Sequence, residues 1–258
     1  MGMELKTSNP VFAGKTYEAT ATRMGYGTTY GSSMTISGTV NKAGILMLCV
    51  LATAMWSWSQ FFATGDASSV GGYTMIGAFG GFIVAMITIF KKEWAPVTAP
   101  VYALLEGLFL GSFSAMLELR YPGIAIESVA MTFGTCFAML LAYRSGLIRP
   151  TEKFTMGVVA ATGGIAIVYV LSMVLGLFHV QVPGIFGSGP IGILFSVAVV
   201  IIAALNLILD FGVIEEGAAR GLPKYMEWYS AFGLMVTLIW LYLEIIRLLS
   251  KLRGDDRR

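Results

Sequence analysis

The sequence predicts an all-α membrane protein with seven transmembrane helices. Three observations lead there. Hydrophobic residues fill 56% of the 258 positions and charged residues only 12%, about half the charged share of a soluble domain. The apolar residues fall into seven runs, at 44–63, 71–90, 98–118, 124–143, 155–178, 188–211 and 228–249. Each run is near the roughly 20 residues that cross a hydrocarbon core of about 30 Å. The runs are continuous and lack the alternation of barrel strands, so helices are the form that satisfies their backbone in lipid.

Residues 1–42 precede the first run. They are rich in Gly, Thr, Ser and Tyr, contain no apolar core of the kind a secretory signal needs, and read as a flexible polar tail. Lys6 stands where a myristoylation signal wants Ser or Thr. The first run holds Cys49 and the fourth Cys136. No Cys/His spacing fits a metal site, so both read as small buried residues. The second run contains Gly77 and Gly81, the third Gly107 and Gly111. This GxxxG spacing lets helix backbones approach closely in lipid.

The third run also contains Glu106, mid-span in VYALLEGLFLG with no i±4 partner visible. Glu118 and Glu127 fall near outer ends of spans, where they snorkel or stay wet. His179, the lone histidine, closes the fifth run as an interface residue. Asp210 lies in the sixth, ILFSVAVVIIAALNLILDFGVI, and Glu244 in the seventh, GLMVTLIWLYLEIIRLL. Between them GVIEEGAARGLPKYMEW reads as a loop or a short surface helix, with Glu215 and Glu216 in the loop. Tyr225 and Trp228 suit the membrane interface. The organisation is then a tail at 1–42, a seven-helix domain at 43–250 and a charged tail at 251–258.

Basic residues set the orientation. The short loops on the N-terminal side carry Lys91, Lys92, Arg144, Arg149, Lys153, Arg220 and Lys224, and the opposite ones only Arg120. The N-terminus is therefore expected in the cytoplasm. Lys251, Arg253, Arg257 and Arg258 in the C-terminal tail argue the other way, and a re-entrant last span is the alternative.

Several function classes drop out. A net charge of +2 with no basic cluster among aromatics gives no nucleic-acid surface. There is no HExxH, GxSxG or P-loop, and one histidine does not build a hydrolase. A retinal protein needs a lysine deep in the last helix, and only Lys251 stands there, at its end. The chain reads as no enzyme and as needing no cofactor. Ion handling remains. A charged side chain at mid-bilayer costs about 2.5–3.5 kcal/mol on insertion scales, so Asp210 and Glu244 are expected to face protein or a water-filled cavity. Two carboxyls brought close share a proton and titrate as a unit. Their ionised oxygens can also ligate Ca²⁺. The competing reading pairs Glu244 with Arg247 at i,i+3 and hydrates Asp210 at its helix end. Depth is the obstacle to a pair. Glu244 is 16 residues into its run, about 24 Å at helical rise. Contact requires a last helix that starts near Phe232, or an Asp210 drawn inward.

At these residues the chain resembles a known family. LDFGVIEEG and LYLEIIRLLSKLR are similar to the Bax inhibitor motif family of transmembrane proteins, in its bacterial branch, and VYALLEGLFLGSF supports the likeness. The resemblance covers most of 44–253. It implies a seven-helix fold with the last helix central, and a proton-sensitive leak of calcium across a bacterial inner membrane. It implies a pH-sensing acid pair, falling here on Asp210 and Glu244, and a basic residue at the cytoplasmic end of the second helix, where Lys91 or Lys92 replaces the expected Arg. Glu106 would line the path, and Arg247 would add counter-charge. The chain departs from the pattern in having Glu on the seventh helix, a longer connection before it and no acid in the second span. A different class of function is a non-conducting regulatory protein whose tail binds a membrane protease or stress factor. A third is a proton-coupled transporter, for which no broken-helix repeat is visible.

Overall fold

A computed structural model describes residues 33–64, 67–178 and 187–255. The tail at 1–32 and His179 lie outside the described residues. Seven helices run in order: α1 (Ile36–Thr64), α2 (Ala67–Phe90), α3 (Ala95–Arg120), α4 (Ile124–Arg144), α5 (Glu152–Leu177), α6 (Pro190–Ala219) and α7 (Met226–Asp255). A 3₁₀ turn, Lys92–Trp94, joins α2 to α3. All seven are long and apolar enough to cross a membrane, one for each apolar run. The last is a single continuous helix of 30 residues, long and apolar enough to cross a membrane.

The helices outrun the apolar runs. α1 starts at Ile36, inside the stretch read as tail. α6 continues to Ala219, so Glu215 and Glu216 are helical and not in a loop. α7 takes in the start of the charged C-terminal segment. Hydropathy reports only the stretch that meets lipid, whereas a helix ends where its backbone is capped. α6 ends on Gly221, whose φ of 64° few other residues adopt. Gly221 N donates to Ala218 O at 3.1 Å and Leu222 N to Gly217 O at 3.2 Å. These are the two bonds of a Schellman turn.

The chain divides into two compact units, 126–212 with 237–258, and 10–125 with 213–236. Within the second, small residues bring α1, α2 and α3 together. A methyl group at Gly77 would lie 2.7 Å from Leu105 O and Phe109 N. At Gly107 it would overlap Thr53 and Val50 O, and at Gly111 it would overlap Ala54 O and Ser57. Both GxxxG motifs are therefore spent on contacts inside the chain. Thr53 Oγ1 donates to Leu104 O at 2.8 Å and crosslinks α1 to α3. α7 is the most buried helix, with 67% of its apolar stretch shielded, against 6% for α5. Much of what stays exposed is itself apolar, for example Phe90, Leu177 and Leu194. A helix apolar on its outer face is built for lipid.

Replacing Gly107 or Gly77 by leucine should destabilise the protein by about 1–3 kcal/mol or more, because no volume is free on the facing helix. Thermal unfolding in detergent, followed by size-exclusion chromatography, checks this. Gly164, with nothing within 4 Å of a methyl built there, is the tolerant control.

Candidate functional site

Asp210 lies on α6 and is fully buried, at 0% exposure; Glu244 lies on α7 at 1%. Both belong to the unit of 126–212 and 237–258. Along α6 the residues Ser196, Val199, Ala203, Asn206 and Asp210 are all buried. They recur at i+3 and i+4, so they form one face. That face is polar at three heights. Lys251 Nζ, from α7, donates to Ser196 Oγ at 2.8 Å and to Gly192 O at 3.0 Å. Asn206 Nδ2 donates to Thr162 Oγ1 on α5 at 2.9 Å and to Ile202 O at 2.8 Å. Asp210 follows one turn later, with the Cys136 thiol of α4 nearby.

Glu244 has different company. Tyr169 Oη of α5 donates to its carboxyl, 3.0 Å from each oxygen. Arg247 Nη1 donates to the same two oxygens at 2.8 and 2.9 Å and to Tyr169 Oη at 2.8 Å. The i,i+3 pairing of Glu244 with Arg247 is thus present, and the tyrosine closes it into a triangle.

These contacts set the register of the two acids. Lys251 meets α6 at Gly192 and Ser196. Glu244, seven residues earlier on an antiparallel helix, then stands level with α6 residues near 199–203. Asp210 is at least seven residues further along. A second anchor agrees. Thr162 meets Asn206, so Tyr169, two turns up α5, stands near Phe195, whose ring centroid is 6.2 Å from its own. At 1.5 Å per residue the acids are separated by roughly 10 Å or more along the helix axis. The register therefore gives each acid its own surroundings, and direct sharing of one proton would need the helices to slide. Among the described residues no three His, Cys, Asp or Glu side chains gather to hold a metal ion.

In the other unit Glu106 is part-buried on α3, and Tyr102, at i−4, hydrogen-bonds its carboxyl. The partner that the sequence did not reveal is a neutral phenol. Gly81 leaves the space that this carboxyl uses; a methyl there would lie 2.8 Å from Glu106 Oε1. Lys92 places Nζ 5.8 Å from the Tyr229 ring centroid, a cation–π arrangement, while Lys91 is exposed. Glu118 caps the start of α4, accepting from Gly123 N at 2.5 Å and Ala125 N at 3.1 Å. In the first unit Glu127 pairs with Arg253 at 2.6 Å.

The sequence reading missed Glu227. It sits in the first turn of α7 at 0% exposure. Its Oε1 accepts from Thr35 N at 3.0 Å, Thr35 Oγ1 at 2.9 Å and Lys224 Nζ at 2.7 Å, and its Oε2 pairs with Lys42 Nζ at 2.8 Å. Thr35 Oγ1 in turn accepts from Gly38 N at 3.0 Å and so caps α1. A methyl at Gly38 would overlap the Glu227 carboxylate. Nearby, Met34 N donates to Leu222 O at 2.6 Å. The start of α1 is therefore clamped to the α6–α7 turn, which explains why residues 36–42 are helical.

A model of the Bax inhibitor 1 like family matches residues 9–254. The chain belongs to that family. The Bax inhibitor 1 like proteins are membrane proteins, in agreement with the seven spanning helices. No curated protein and no solved structure matches the chain.

Glu227→Ala is expected to lower stability by about 1–3 kcal/mol, because Thr35 and two lysines lose one acceptor. It should also speed proteolysis in the 33–42 stretch. Gly38→Leu should reproduce both effects. Melting curves and timed proteolysis in detergent provide the readout.

Proposed function

We propose that this Bax inhibitor 1 like protein is a pH-sensitive cation leak, with calcium as the ion and with Asp210 and Glu244 as its sensing and gating groups. The carrying observation is the complete burial of both acids on helices that cross the membrane. A carboxylate at that depth must be protonated, paired or hydrated. Glu244 is paired with Arg247 and hydrogen-bonded by Tyr169. Asp210, beside the Asn206–Thr162 bond, is the group whose protonation sets the charge of the α6 face. When it ionises, a charge appears that lipid cannot solvate, and water and a cation become the stabilising partners. Because the acids stand at different depths, the switch is two separate sites along one helix pair instead of one shared proton. Glu106, beside Gly81, is the candidate polar point in the other unit. In this reading the protein sits in a bacterial inner membrane with its N-terminus in the cytoplasm, as the loop charges expect.

Purified protein in liposomes, with a calcium dye inside and the pH varied, tests this. Flux should rise with pH. Asp210→Asn should lower high-pH flux by roughly tenfold, the scale of one charge-assisted contact, and flatten its pH dependence. Glu244→Gln should lower flux across the range. Wild-type flux no greater than that of empty liposomes would reject conduction and leave the non-conducting regulatory reading.

A further inference from the structure

The Glu244 triangle has an unusual feature: a single nitrogen serves every oxygen. Arginine usually meets a carboxylate with two nitrogens in a parallel fork. Here Arg247 Nη1 alone lies 2.8 and 2.9 Å from the two Glu244 oxygens and 2.8 Å from Tyr169 Oη. Three oxygens thus converge on one positive centre, as they would on a bound ion. They stand slightly further out than the about 2.3–2.6 Å of calcium–oxygen bonds. We propose that Glu244 and Tyr169 form a cation site which Arg247 fills from within the chain, so that Arg247 is a tethered occupant holding the site closed to free cations.

Burial and exposure divide the roles. The Glu244 side chain is 2% exposed and that of Arg247 41%. The acid is fixed in the interior, whereas the guanidinium reaches it from the edge along a flexible stem and can leave without unwinding α7. Arg247 Cζ also stands 5.3 Å from the Tyr169 ring centroid, so the same tyrosine supplies a hydroxyl to the site and a face to its occupant. The other cation near the acid cannot take over. Lys251, one turn beyond Arg247, is held by Gly192 O and Ser196 Oγ. Removing Arg247 therefore leaves a buried carboxylate that a hard cation from solution can neutralise in place of the guanidinium.

The inference deepens the cation reading of Glu244, but its test needs no conduction. Wild type, Arg247→Gln and Arg247→Gln with Glu244→Gln are purified in detergent. Each is melted in choline chloride and in calcium, sodium or potassium chloride at matched ionic strength. Arg247→Gln should be less stable than wild type in choline and should gain roughly 2–4 °C or more with at least one metal cation. Wild type and the double variant should gain nothing comparable. If Arg247→Gln does not fold in choline, the metal salt or the second substitution must restore it. Equal responses in all three proteins, or a single variant that neither measure rescues, overturn the proposal. Calcium flux measured on the same proteins separates the two ideas. Cation-specific stabilisation without flux keeps the site and removes the leak, whereas flux without stabilisation keeps the leak and removes the site.

Discussion

Hydrocarbon offers no hydrogen bonds, so a polar group in a spanning helix is stabilised by a partner within the chain. The hydroxyls show the simplest solution. Thr88, Ser114, Thr132 and Ser172 each donate to the carbonyl four residues back on their own helix. That contact is local and needs no tertiary structure. Asparagine, lysine and the acids cannot be satisfied so cheaply. Asn206 and Lys251, and the Tyr169 hydroxyl that meets Glu244, reach to other helices, and in doing so they set which helices are neighbours and in what register.

The two units meet this constraint differently. In 10–125 with 213–236, close backbone approach does most of the packing. Glycines on α2 and α3 remove the side chains that would hold the helices apart, and dispersion between close backbones supplies the attraction. In 126–212 with 237–258, polar contacts supply the register: Lys251 to Gly192 and Ser196, Asn206 to Thr162, and Tyr169 to Glu244. A slip of one helical turn would break all three, which makes the register of α5, α6 and α7 specific.

The same polar contacts give the two acids unlike settings. Glu244 is neutralised on its own helix and held by a phenol, its carboxylate buried and the guanidinium of Arg247 partly exposed. Asp210 lies one turn beyond Asn206 on the buried face of α6, with the Cys136 thiol of α4 nearby. At the end of the helix pair, Glu227 ties the beginning of α1 to the α6–α7 turn, so the connection between these two helices is braced by a segment 192 residues away in sequence.

The architecture was legible from composition alone, because length and apolarity are properties of each segment by itself. Seven runs became seven helices, and the GxxxG motifs became contacts. The helix ends were not legible, since Thr35, Gly221 and Glu227 act through caps that hydropathy does not register. The sequence also named the two buried acids and the Glu244–Arg247 spacing, which need only one helix to be true. It placed Asp210 and Glu244 as candidates for a pair, and only the register of α5, α6 and α7 decided their relation. That register depends on Thr162, Tyr169 and Lys251, whose partners lie 44 to 75 residues away. A linear pattern identifies which groups lipid will not tolerate; which partner each one finds is decided by packing.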